Sequence, residues 1–131
     1  MFKIPNGPVA GFDIDDTLIC WNEIDGAPTV EIECRGRKSL YSINSHNLDY
    51  LIKLSNRGHA IIVWSAGGSD WAEAVVKALK IENYVDAVSP KLTYYIDDVK
   101  DPAKIIGKYV FYDVNGKRHG FAPIEDNEEN K

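Results

Sequence analysis

Asp13, Asp15, Thr17, Ser65, Lys91, Asp97 and Asp98 are the residues whose types and order could carry a reaction. The first three lie in Asp13-Ile14-Asp15-Asp16-Thr17, directly after the apolar run 9–12. Ser65 follows the apolar run 60–64, Lys91 follows the short expected strand 85–88, and Asp97-Asp98 follow 93–96. A fold that gathers these ends makes a pocket with several carboxylates, one hydroxyl and one ammonium. Two unit charges about 4 Å apart repel by about 4 kcal/mol at an effective dielectric of about 20, so three or four carboxylates together need a cation. Short Asp side chains offer only oxygen, which suits a hard ion such as Mg²⁺ that keeps waters and often binds phosphate too. His46, His59 and His119 lack the spacing of zinc ligands. Mg²⁺ with a carboxylate, a Lys and a Ser describes phosphoryl transfer. An Asp carboxylate can attack phosphorus and form an acyl phosphate. The cation and Lys91 would offset the repulsion between that carboxylate and a phosphate dianion. Ser65 can hydrogen-bond a phosphate oxygen. Asp15, two residues beyond Asp13, can protonate the leaving alkoxide and then activate the water that breaks the aspartyl-phosphate.

The elements that must position these groups alternate in type. Residues 9–13 read as a short buried strand after a Pro/Gly-rich lead-in. In 29–35, Val30, Ile32 and Cys34 point one way and Thr29, Glu31 and Glu33 the other, the pattern of a half-buried strand. Its expected partner is 38–43, with Arg35-Gly36-Arg37 as the turn and a second turn at 25–28, so 18–43 reads as a hairpin excursion. Ser45 is the expected cap of a helix in which Leu48, Leu51, Ile52 and Leu54 share a face and which ends at Gly58. Residues 60–64 read as a strand buried on both faces. Asp70 with Glu73 resembles a capping box for a helix through about Lys80. Short strands are expected at 85–88 and 93–96, a helix start at Asp101-Pro102, and a hairpin of 108–112 with 117–121 around Asn115-Gly116. Strands alternating with helices predict an α/β fold with a mostly parallel sheet covered on both faces, and ligands then bind beyond the carboxyl ends of the strands.

Length and charge narrow the function classes. The chain has 131 residues, 44% of them hydrophobic and 27% charged, which predicts one domain over 1–124 and an acidic, solvent-facing tail at 125–131. Fifteen Lys plus Arg against twenty Asp plus Glu give a net charge of −5. A dedicated duplex-DNA binder shows the opposite balance, because phosphate neutralisation supplies most of its affinity. No apolar run approaches the roughly 18 residues of a membrane span. The start, Met-Phe-Lys-Ile-Pro-Asn-Gly-Pro, has no apolar signal core, so the expected location is the cytoplasm, with Cys20 and Cys34 as free thiols.

Asp13-Ile14-Asp15-Asp16-Thr17-Leu18 after an apolar strand resembles motif I of the haloacid dehalogenase (HAD) superfamily, Asp-x-Asp-x-Thr-Leu. Ser65, Lys91 and Tyr94-Tyr95-Ile96-Asp97-Asp98 resemble motifs II, III and IV, in the family's order and over residues 9–101. The resemblance implies a three-layer Rossmann-like fold with a hairpin flap after the first strand and no large cap domain. It implies a Mg²⁺-dependent phosphatase with Asp13 as nucleophile and metal ligand. Asp15 would be acid/base and offer its backbone carbonyl to the metal, and Asp97 would be a further ligand. Ser65, Lys91 and Thr17 would stand at the phosphate. Motif IV fits two registers, Asp97 with Asp98 or Asp97 with Asp101; the adjacent pair is favoured as the metal-holding one because Asp101 has a structural use before Pro102, and Lys100 and Lys104, the other candidates for the place of Lys91, fall after the acidic motif. Asp16 stands where the family often has Gly. Family members without caps often act on bulky substrates or close the site by forming homo-oligomers. The implied substrates are a nucleotide, a polynucleotide end, a sugar phosphate or a phosphoprotein.

Two other classes compete. A receiver domain also groups Asp, Ser/Thr and Lys around Mg²⁺, but its phosphoacceptor Asp comes after the acidic pair, the reverse of the order here. A binding scaffold without turnover would not need both Asp13 and Asp15. Arg35, Arg37 and Lys38 form a basic hairpin tip that either keeps an edge soluble or grips substrate phosphates. Trp64 and one of Tyr94 and Tyr95 are assigned to the core, and Trp21, in or near the flap, is the better candidate of these for substrate contact.

Overall fold

A Pro/Gly-rich lead-in releases the chain into an apolar strand at Val9, and from there the computed structural model describes residues 4–101, 106 and 108–120. The chain divides into two units, Met1–Lys91 and Leu92–Lys131. In the first, β1 (Val9–Asp13), β2 (Ile19–Cys20), β3 (Thr29–Cys34), β4 (Arg37–Ile43), α1 (Ser45–Asn56), β5 (Ala60–Ser65), α2 (Ser69–Leu79) and β6 (Ala87–Pro90) follow in order, with a 3₁₀ turn at Glu82–Tyr84 before β6. The second contains β7 (Val110–Tyr112) and β8 (Arg118–Gly120), an antiparallel hairpin.

Two sheets make up the first unit. β1, β5 and β6 pair in parallel in the order β1-β5-β6, with Asp13 opposite Trp64 and Ser65 opposite Pro90, so the carboxyl ends of the three strands lie side by side. β2, β4 and β3 form a separate antiparallel sheet, in which β3 and β4 pair from Thr29–Ser42 to Cys34–Arg37. Arg35 and Gly36 turn this hairpin at φ 55° and 75°. Two positive φ angles in a two-residue loop match the right-handed twist of the strands. Arg35 bears a cost of roughly 1–2 kcal/mol there, since its Cβ crowds the following carbonyl. The core runs through Ile14, Leu18, Ile19, Ile32, Leu51, Ile61, Val63 and Val75, all essentially inaccessible. Each such side chain contributes roughly 1.5–3 kcal/mol by leaving water.

Several expectations change. The three-layer Rossmann-like architecture is not what this chain builds: among the described residues the parallel sheet has three strands, and there are two α-helices. The expected strand at 93–96 is not one; residues 92–101 are exposed and no described strand pairs with them. The pattern Thr-Tyr-Tyr-Ile favours extended backbone, but a strand exists only where a neighbour accepts its ladder. The segments around Asn115-Gly116 satisfy each other as a local hairpin and stay out of the parallel sheet, as a three-residue loop with Gly116 between Asp113 and Lys117 permits. β5 is fully buried on one face (Ile61, Val63, Ser65) and half-buried on the other, not sealed on both. The strand expected at 85–88 sits at Ala87–Pro90. Asn44, not Ser45, caps α1: its buried side chain accepts the Asn47 N–H. Asp70 does not cap α2, whose N-cap is Gly68. The helix start expected at Asp101-Pro102 and the tail at 125–131 extend outside the described residues.

Candidate functional site

Beyond β1 the backbone folds into one tight turn in which the Ile14 carbonyl accepts the N–H groups of Thr17 (3.1 Å), Leu18 (2.9 Å) and Ile19 (3.3 Å). Ile14 and Leu18 drop into the core and anchor the turn from below. Asp16 sits at its apex at φ 60°, a conformation Asp tolerates better than most residues, and its Oδ1 accepts the Trp21 N–H at 3.2 Å. The start of α1 braces the far side: Asn47 Nδ2 donates to the Thr17 carbonyl at 2.9 Å. Asp13, Asp15 and Thr17 are thereby left half-buried, and Thr17 Oγ1 donates to Asp13 Oδ2 at 3.3 Å.

The neighbouring strand ends meet this turn. Ser65 is fully buried; its Oγ donates to Asp15 Oδ2 at 3.2 Å and accepts the Gly67 N–H at 2.9 Å. A side chain at Gly67 would stand 3.3 Å from both Ser65 Oγ and the Trp71 ring, so a glycine lets the loop pass close. Lys91 follows β6 directly; its N–H donates to the Ser65 carbonyl at 3.0 Å, and its Nζ lies 3.1 Å from Asp13 Oδ1. The Lys91 and Asp13 side chains are 43% and 30% exposed, so the pair is open to water and to a ligand. Asp13, Asp15, Thr17, Ser65 and Lys91 are therefore one cluster at the carboxyl ends of β1, β5 and β6.

Asp97 and Asp98 belong to the second unit. Both are exposed, and Asp97 Oδ1 accepts the Val99 N–H at 3.0 Å in a local turn and not at a strand end. Among the described residues no group of three or more His, Cys, Asp or Glu side chains could hold a metal. Asp13 still fits a hard cation. Mg²⁺ is content with one or two carboxylates when phosphate and water complete its shell.

The tryptophans are the part of the site that sequence reasoning did not assemble. Asp15 Oδ1 accepts two indole N–H groups, from Trp21 Nε1 at 2.8 Å and Trp71 Nε1 at 3.0 Å. Tyr41 packs edge-on to both rings, at centroid distances of 5.2 and 5.7 Å. Trp64 is half-buried against Gly11. Tyr94 and Tyr95 are 79% and 54% exposed, so neither is core. Their bulk suggested burial, but the segment that carries them has no strand partner.

The hairpin tip is tied back to α2. Arg35 donates from Nε to Asp70 Oδ2 (2.7 Å) and from Nη2 to Asp70 Oδ1 (2.5 Å) and the Gly67 carbonyl (2.7 Å). These hydrogen bonds hold the Asp70 carboxyl below the usual carboxylate range, assisted by the Trp71 N–H, and push the Arg35 guanidinium up. Lys38 lies 3.8 Å from both Glu31 and Glu33. Cys20 and Cys34 are free, and burial pushes the Cys20 thiol up, with Asp16 adding to the shift. No helix among the described residues is long and apolar enough to cross a membrane. Comparison of the chain with protein-family models, curated proteins and solved structures finds no match.

Proposed function

We propose that the chain is a Mg²⁺-dependent phosphomonoester hydrolase that works through an aspartyl-phosphate on Asp13, related in its motif residues to the HAD superfamily. The observation that supports this best is the pair of contacts across strand ends, Lys91 Nζ to Asp13 Oδ1 at 3.1 Å and Ser65 Oγ to Asp15 Oδ2 at 3.2 Å. Residues far apart in sequence thus meet two neighbouring half-buried carboxylates, a cation at Asp13 and a hydroxyl at Asp15. Four side chains then have distinct tasks. The Asp13 carboxylate attacks phosphorus, and the P–O bond to the leaving group breaks as Asp15 delivers its proton to that oxygen. Asp15 next takes a proton from water, whose oxygen attacks phosphorus and returns Asp13 and inorganic phosphate. Lys91 offsets the charge of the approaching dianion, and Ser65 donates to a phosphate oxygen.

Asp13 and the Asp15 carbonyl would hold Mg²⁺, which when bound supplies charge neutralisation at the phosphoryl oxygens. The substrate is a phosphorylated small molecule or a nucleic-acid end. A panel of phosphomonoesters, including nucleotides and 3′- and 5′-phosphorylated oligonucleotides, tests the proposal. Phosphate release should occur with Mg²⁺, stop with EDTA and be absent in Asp13→Asn. Release that persists in folded Asp13→Asn would refute it.

A further inference from the structure

Trp21 stands against the Asp13–Thr17 turn and yet is 59% exposed. Its ring is held without being covered. The backbone N–H donates to Asp16 Oδ1 at 3.2 Å, and Nε1 donates to Asp15 Oδ1 at 2.8 Å. Tyr41, itself buried, packs edge-on at a centroid distance of 5.2 Å, and the Trp71 ring lies tilted by 41° at 6.3 Å. The nitrogen edge is thus taken, and faces make up most of an indole's surface, so this exposure leaves ring face open to solvent. An aromatic side chain already fixed in place loses little further freedom when a ligand stacks on it. Ser65 Oγ bonds the other oxygen of the same carboxylate, Asp15 Oδ2, at 3.2 Å. One carboxylate and two hydrogen bonds therefore separate the Ser65 hydroxyl from the indole edge, a span that one pentose can bridge.

We infer that the open face of Trp21 stacks on the base of a nucleoside monophosphate whose phosphate is held by Ser65 and Lys91. The inference rests on the hydrolytic reading above for the place of the phosphate, and it deepens that reading by naming the substrate class. Every base has a planar face, so one indole accepts purines and pyrimidines alike. A sugar phosphate without a base offers nothing to stack. The net charge of −5 disfavours a long polyanion, which selects a mononucleotide over a nucleic-acid strand.

Binding is measured in Asp13→Asn protein with Mg²⁺, where the hydrolytic reading allows no turnover. Adenosine 5′-monophosphate should bind about fivefold or more tightly than ribose 5-phosphate, the usual effect of one base–aromatic stack. Adding Trp21→Ala should bring the two Kd values together. Adding Trp21→Phe, which keeps a ring without the N–H donor, should retain part of the difference. Equal affinities with Trp21 in place, or a difference that survives Trp21→Ala, would overturn the inference. So would its complete loss in Trp21→Phe, which would trace the effect to the Asp15 hydrogen bond. A 5′-phosphorylated oligonucleotide that binds more tightly than the mononucleotide would overturn the choice of substrate. Phosphate release by folded Asp13→Asn protein would instead refute the hydrolytic reading, so the two failures are distinct. A last measurement needs no change at Trp21. At saturation with adenosine 5′-monophosphate, nuclear Overhauser contacts should join adenine protons to the ring protons of Trp21, and their absence would show that the base lies elsewhere.

Discussion

Lys91 and Ile14 separate chemistry from folding at the scale of the single residue. Lys91→Met removes a half-exposed ammonium 3.1 Å from Asp13 and leaves the core untouched. It should lower kcat/KM on the best phosphomonoester by about a hundredfold, the typical effect of removing one preorganised electrostatic group, with the urea midpoint nearly unchanged. Ile14→Ala hollows out the support under the Asp13–Thr17 turn, where Ile14 is fully buried. It should cost about 2–5 kcal/mol in urea unfolding, the range for large-to-small core changes. The residues of this turn and Ser65 were legible because each stands directly after an apolar run, and Lys91 because it follows shortly after a short expected strand. The sequence did not disclose the indole donors: Trp71 is 56 positions from Asp15 and looks like an ordinary aromatic in the first turn of a helix.

Local pattern identified most elements. The alternation of Val30, Ile32 and Cys34 was enough for β3, and Asn115-Gly116 was enough to place the β7–β8 hairpin. What local pattern missed depended on distant partners. Asp70 reads as a cap until Arg35, 35 positions earlier, takes both its oxygens. The 93–96 segment reads as a strand, yet it has no partner among the described strands.

The Arg35–Asp70 latch carries a pH prediction. Its carboxyl is held below the usual range, so its contribution is complete above the unfolded carboxylate value of about 4 and is lost as pH falls through the lowered folded value. Arg35→Ala should speed amide exchange in β3 and β4 at neutral pH, and the difference from the native chain should shrink on acidification below about pH 4. An undiminished difference at low pH would assign Arg35 a role unrelated to Asp70. The second hairpin has the same sign. The His119 contact, followed by the Lys117 N–H, lowers the Asp113 carboxyl, so β7 and β8 should loosen on the acid side of the carboxylate range.

For the whole molecule, a short parallel sheet supplies the strand ends, and the antiparallel sheet with its latch sets what surrounds Asp15. The α/β alternation suggested a larger layered architecture. That expectation failed because the described segments of the second unit pair locally or with no described strand, which a one-dimensional pattern does not reveal.

The most direct test of the central claim is to detect the phosphoryl group on Asp13. Asp15→Asn protein is mixed with 4-nitrophenyl phosphate and Mg²⁺ and quenched in acid, and the peptide containing Asp13 is analysed by mass spectrometry. The weakened base should let the intermediate accumulate, with phosphate on Asp13 and none in the Asp13→Asn control. Turnover with no label on Asp13, or a label on another residue, would contradict the account.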